Sequence, residues 1–248
     1  MKKPLQLLAK FVFSLFAIPL FAATIGNPAS PSALERGLKI PDTSWWNLRF
    51  GFCEEVIIEQ KYYALERQQI SGAFVKGQTQ SISATWNIRE RLDLQAILGW
   101  GELHWQWQQA GITEEGTAYH GFYWNSAAKV IVFQIKNSVL SVDMRGGGWH
   151  DFGGSFQVGQ SNSQSTTFSS LFWQAAVAFS QKLGPLCPYA GIALQQDSLS
   201  IHSVHLTNRF RKGPFGGFTF SNGSYIFITA EGCGWYETAC SISCEIRL

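Results

Sequence analysis

From residue 45 onward the chain alternates apolar and polar positions with a period of two. Trp46, Leu48, Phe50 and Phe52 are interleaved with Asn47, Arg49, Gly51 and Cys53, the signature of a strand with one apolar face and one polar or small one. Ile82, Ala84, Trp86 and Ile88 alternate with Ser83, Thr85, Asn87 and Arg89; beyond a tight Glu90-Arg91 turn, Leu92, Leu94, Ala96 and Leu98 oppose Asp93 and Gln95. The pattern returns in Trp173 to Phe179, in Ala190 to Leu194 across a Leu183-Gly184-Pro185 turn, and in Cys240, Ile242, Cys244, Ile246 and Leu248, so the last strand runs to the final residue.

Ten strands are predicted, at about 46–57, 79–90, 91–107, 119–135, 138–158, 168–182, 187–203, 211–221, 224–232 and 237–247. Tight turns at Glu90-Arg91, Lys136-Asn137, Leu183 to Pro185 and Asn222-Gly223 alternate with longer polar connections at 58–78, 108–118, 159–167 and 204–210. Short periplasmic turns alternating with longer outer loops over an even strand number is the organisation of a membrane barrel. The predicted fold is therefore all-β, a transmembrane antiparallel β-barrel of about ten strands within a range of eight to twelve. A secreted β-sandwich would alternate too, but its outer face would be polar. Here aromatics are abundant, with 10 Trp, 19 Phe and 7 Tyr, and Trp100, Trp105, Trp107, Tyr119, Phe122, Tyr123 and Trp124 are expected to form an interfacial girdle near the loop ends of the third and fourth strands.

Residues 1–23 read as a secretory signal: Lys2 and Lys3 precede an apolar stretch from Phe11 to Phe21 that ends at Ala22-Ala23, too short to span a bilayer. Residues 24–44, rich in Pro and Ser, are expected to be a periplasmic lead, and 45–248 the barrel, placed in the outer membrane. No later stretch holds 18 uninterrupted apolar residues, which removes helical spans. Without Lys2, Lys3 and Lys10 the 19 basic residues fall to 16 against 17 acidic ones, a net charge of −1. The basic balance of the whole chain belongs to the signal, and nothing argues for a nucleic-acid partner. Outer-membrane lipid and small solutes are the expected partners, and no cofactor is implied.

Charges in the polar phase are the candidate pore-lining residues: Arg49, Arg89, Asp93, Glu245 and Arg247. In an open channel they would bias passing ions; in a narrow barrel they would pair and fill it, since about eight strands leave only side-chain-sized space. His104, His120, His202 and His205 fall near outer strand ends, with His150 on the fifth strand, and Glu102, Glu114, Glu115 and Asp197 could join them in a rim hydrolase site. Such chemistry needs a carboxylate and a histidine within reach of an attacking water, and no spacing requires it. The expectation is a non-enzyme. Gly146-Gly147-Gly148 lacks the Lys-Ser/Thr of a phosphate loop and reads as a sheet bend. Five cysteines, Cys53, Cys187, Cys233, Cys240 and Cys244, lie beyond the signal. An odd count leaves at least one thiol unpaired or bonded to another chain, and without any Cys-x-x-Cys pair a zinc site is disfavoured.

Gly26-Asn27-Pro28-Ala29 with Pro31-Ser32, Leu48-Arg49-Phe50-Gly51-Phe52, Trp86 to Leu94 with Leu98-Gly99, and Trp173-Gln174-Ala175 through Ala178, Leu183 and Pro188-Tyr189-Ala190-Gly191 stand in the same order as in one known group. In these motifs the chain resembles the chlamydial major outer membrane protein family of porins, in shortened form. The resemblance implies an outer-membrane barrel, passive diffusion of small solutes and ions, and cysteines that cross-link the envelope, either to disulfide-linked envelope proteins or within a homo-oligomer. Two departures stand out: several strands and long loops are missing, and the chain ends in Leu248 where such barrels commonly end in an aromatic. A porin that also supports the envelope is the first functional expectation; a non-conducting structural or adhesive barrel is the alternative, and a barrel hydrolase a third.

Overall fold

The computed structural model describes residues 25–27, 29–30, 45–64, 70–158, 164–201, 204–221, 225–234 and 237–248. The expected signal peptide and most of the lead lie outside them. Ten strands follow one another: β1 (Trp46–Ala64), β2 (Ile70–Ile88), β3 (Leu92–Gln109), β4 (Ile112–Ile135), β5 (Ser138–Val158), β6 (Gln164–Gln181), β7 (Leu186–Ile201), β8 (Val204–Ser221), β9 (Ile226–Cys233) and β10 (Glu237–Arg247). Each pairs antiparallel with its neighbours, and β10 closes on β1 with Arg49 opposite Arg247 and Phe52 opposite Cys244. Closure leaves no sheet edge, the condition for a sheet to cross lipid.

The ten strands match the predicted number, but most reach further outward than the periodicity indicated. Spanning takes about 9–11 residues, whereas β4 has 24. The expected long polar loops are largely strand: in 58–78 residues 58–64 and 70–78 are strand, in 108–118 all but Ala110-Gly111, in 159–167 residues 164–167, and 204–210 lies within β8. The physical reason is a change of solvent along each strand. In β3, Leu94, Leu98 and Trp100 face outward and exposed, while Leu103, Trp105 and Trp107 further along face inward and are at most 5% exposed. In β7, Ile192 and Leu194 face out and Leu199 and Ile201 face in. The backbone phase is continuous; the apolar residues change sides. Polar residues such as Lys76, Gln78, His104, Gln108, Glu115, Ser198 and His205 take the outer face beyond that point.

The expected aromatic girdle divides accordingly. Trp100, Tyr119, Phe122 and Trp124 face outward, whereas Trp105 and Trp107 are buried inside and Tyr123 stacks inward on Phe172 with ring centroids 6.2 Å apart. Gly147, inside β5 opposite Asn125 and Phe172, keeps that space open, since a Cβ there would lie 2.2 Å from the Trp124 carbonyl oxygen. The three glycines expected to bend the sheet therefore sit within an unbroken strand, where Gly147 and Gly148 admit close neighbours.

The two halves differ in strand number as well as polarity. β9 and β10 have only 8 and 11 residues. Beyond their outer ends β1 pairs directly with β8, Tyr63 opposite Thr207 and Ala64 opposite Leu206. The barrel thus narrows from ten strands to eight. Eight strands leave an interior that side chains fill, and Tyr62, Val75, Leu103, Trp105, Trp107, Trp149, Phe168, Leu199, Ile201 and Leu206 fill it. Trp105 and Phe168 pack at 5.3 Å between ring centroids. Each such side chain, fully buried, contributes on the order of 1.5–3 kcal/mol.

Candidate functional site

The wider half, at the end bearing the tight turns and both ends of the ladder, encloses charged groups. Alternation directs Asn47 and Arg49 of β1, Asn87 of β2, Asp93 of β3 and Glu245 of β10 inward, and the registers bring them together. Arg49 pairs with Asp93 and lies 3.4 Å from Glu245. Asn47 Nδ2 donates to Asn87 Oδ1 at 2.9 Å, and Asn87 Nδ2 to Asp93 Oδ1 at 2.7 Å. Of the five expected lining residues, Arg49, Asp93, Glu245 and Arg247 face the lumen. Arg89 does not: it sits exposed in the turn with φ 51°, because the strand ends one residue earlier at Ile88.

A second network was not anticipated. Lys129 of β4 stands opposite Asp143 of β5; Arg145 Nε donates to Asp143 Oδ1 at 2.9 Å, and the Tyr189 hydroxyl of β7 donates to Glu231 Oε2 of β9 at 2.7 Å. Lys129, Asp143, Arg145 and Glu231 are all buried. The signal was present in the sequence: Ser141, Asp143 and Arg145 share one phase and alternate with Leu140, Val142 and the outward Met144.

These groups grip a piece of the lead segment. Glu231 accepts hydrogen bonds from the backbone N–H of Ile25 at 2.7 Å and of Gly26 at 2.8 Å. Lys129 Nζ donates to the carbonyls of Ile25 and Asn27 at 2.8 and 3.1 Å, and Arg145 donates to that of Ile25 at 2.9 Å. Arg49 donates to the Ser30 carbonyl at 2.8 Å, and the Ser30 hydroxyl to Asp93 at 3.0 Å. Residues 25–27 and 29–30 of the stretch expected as a periplasmic lead thus lie inside the barrel. Beside them remains a cavity of about 410 Å³, lined by Arg49, Glu55, Asp93, Tyr123, Lys129 and Arg145 among others. Towards the outer core it gives way to a space of only about 80 Å³ bounded by Leu103, Trp149 and Phe168.

The other candidates do not converge. His104 faces outward and pairs with Glu102 at 3.1 Å; His205, exposed, bonds Ser200 at 2.8 Å; Asp197 points into the barrel, accepting from Gln60 and Gln195. Glu114 accepts from Trp107 Nε1 at 3.0 Å, while Glu115 and His150 are exposed; His202 and the side chain of His120 lie outside the described residues. No disulfide joins any two of the five cysteines within the chain: Cys53 and Cys187 line the cavity, and Cys240 and Cys244 follow the outward phase. Among the described residues no cluster of His, Cys, Asp and Glu is arranged to hold a metal ion, and no helix is long and apolar enough to cross a membrane.

A closed antiparallel barrel whose wider half carries an apolar belt outside, including Phe52, Ile82, Leu98, Trp124, Leu171, Val177 and Ile192, and ionic groups inside is a transmembrane β-barrel of the outer-membrane class. Among solved structures, the chain is similar to the translocator domain of the autotransporter NalP from Neisseria meningitidis, at 9% identity over 83% of this chain and 89% of that one, with a TM-score of 0.47. It is also similar to the outer membrane protease OmpT from Escherichia coli, at 8% identity over 82% and 97% with a TM-score of 0.44, and to the outer membrane protein OprG from Pseudomonas aeruginosa, at 8% over 82% and 95% with a TM-score of 0.35. No protein-family model matches the chain, and no characterised protein matches it in sequence.

Proposed function

We propose that this chain is a non-conducting, structural barrel of the outer membrane, the alternative expectation rather than the porin. The observation that carries this reading is the apolar core of the eight-stranded half, where Trp105, Trp107, Phe168, Leu199, Ile201 and Leu206 occupy the only axial route through the described residues. Only about 80 Å³ of space remains beside that core, which gives no continuous water-filled passage. The seated residues 25–27 and 29–30 and the ion pairs of Arg49 add a second obstruction at the other end. The reading is also non-catalytic: His104 with Glu102 and the inward Asp197 lie on opposite faces of the wall.

The cavity of about 410 Å³ with both signs of charge favours a second reading, a porin whose core parts. Membership in the chlamydial porin group is kept as a proposal; its supporting point is that Gly26-Asn27, part of the resembling motif, is held inside the lumen. The test is swelling of liposomes containing the refolded mature barrel in an iso-osmotic monosaccharide. Swelling no faster than that of protein-free liposomes is expected; a rate proportional to the amount of folded barrel would replace the structural reading with the porin.

A further inference from the structure

Residues 25–27 do more than obstruct the lumen, because each meets a separate feature built to receive it. The Ile25 side chain, 3% exposed, lies in an apolar pocket formed by Ala176, Ala178, Tyr189, Ala193 and Phe215. Gly26 adopts φ 74°, and a Cβ there would come within 3.2 Å of Lys129 Nζ. Asn27, 5% exposed, donates from Nδ2 to the Cys187 carbonyl at 3.2 Å and accepts at Oδ1 from the Ala29 N–H at 2.8 Å, folding the chain into an Asx turn. The backbone between them is held by ionic groups on four strands: Glu231, Lys129, Arg145 and, further along, Arg49. Glu231 and Lys129 are buried, and backbone groups of this segment are hydrogen-bond partners to both. Bonds between a charged group and a backbone amide are about twice as strong as neutral ones.

The geometry points to a peptide-binding site in the ten-stranded half of the lumen, selective for an aliphatic–glycine–asparagine sequence, which the chain's own residues 25–27 occupy as an intramolecular ligand. An apolar pocket reads the first side chain, steric exclusion by Lys129 and a left-handed backbone read the second, and an amide-to-carbonyl bond reads the third. An obstruction of the lumen by bulk alone would need none of the three. The site goes beyond the structural role proposed above and stands whether or not the barrel conducts.

The test uses the Cys187 thiol, whose Sγ lies 3.8 Å from Asn27 Oδ1, as the reporter. The full chain is processed and folded in the outer membrane, the membranes are isolated with their periplasmic face open to solution and treated with a membrane-impermeant maleimide, and the modified cysteines are mapped by mass spectrometry. Gly26→Val places a β-branched residue in a left-handed backbone and should speed Cys187 labelling about tenfold, with Cys244 on the lipid-facing phase unchanged. Asn27→Ala, which leaves the barrel wall untouched, should act in the same direction. Adding a synthetic peptide of residues 24–30 to the Gly26→Val barrel should restore protection, and a scrambled peptide should not. A folded Gly26→Val barrel that labels at the parent rate, or protection by both peptides equally, would overturn the assignment.

Discussion

At the scale of single residues, position along the barrel matters as much as chemistry. Trp105, 2% exposed among Phe168 and its neighbours, and Trp100, 51% exposed to the outside, lie five positions apart on one strand. Trp105→Ala is expected to cost about 3–5 kcal/mol as a core truncation, measured by denaturant unfolding of the barrel from lipid vesicles, and Trp100→Ala clearly less. Asp93→Ala removes a partner of buried Arg49 while Glu245 remains at 3.4 Å, so the expected loss is about 3 kcal/mol, near the low end for breaking a buried pair. Arg49→Met combined with Asp93→Leu should recover much of it, because both buried charges go together and the Glu245 carboxylate that loses Arg49 is partly solvated, 23% exposed; a double variant as unstable as the single one would contradict this. Arg49, Asp93, Glu245 and Arg247 were legible because strict alternation surrounds them. Lys129 and Glu231 were not, because their role comes from meeting residues 25–27, a contact of more than 100 positions in sequence that no local pattern encodes.

Among the elements, β3 carries the lesson. Apart from the lumen-facing Ile97, its apolar residues occupy even positions from Leu92 to Trp100 and odd positions from Leu103 to Trp107. Periodicity alone registers a strand in both parts, so the element was legible. The exchange of phase at Gly101-Glu102 marks where lipid gives way to water outside and lumen gives way to core inside, and it separates Trp105 and Trp107 from the girdle to which their type assigned them. The outer strand ends were lost for the same reason: in the stretches expected as loops, polar outward residues were read without the inward partners Tyr62, Val75 and Leu206. Leu98→Arg, on the lipid side, should cost about 2–4 kcal/mol if it sits near the bilayer midplane. His104→Arg, six residues on in the same outward phase, should change stability by no more than about 0.5 kcal/mol. Equal costs at the two positions would mean that the membrane boundary does not fall between them.

For the whole molecule, the decisive feature is the change from ten strands to eight. It follows from two short strands, β9 and β10, and from the direct pairing of β1 with β8 above them. Strand number sets lumen width, so the narrow half can be dry while the wide half keeps charges, a cavity and a seated piece of chain. The count of ten and the class of barrel were readable from turns and alternation; the narrowing was not, because it depends on pairing between residues more than 140 positions apart, Tyr63 with Thr207. Whether the dry half seals the barrel is read by single-channel recording of the refolded chain in a planar bilayer, with heat-dependent gel mobility confirming the folded state. The folded parent barrel should give no stable unitary steps; reproducible steps of constant size from that same preparation would mean that the lumen is open.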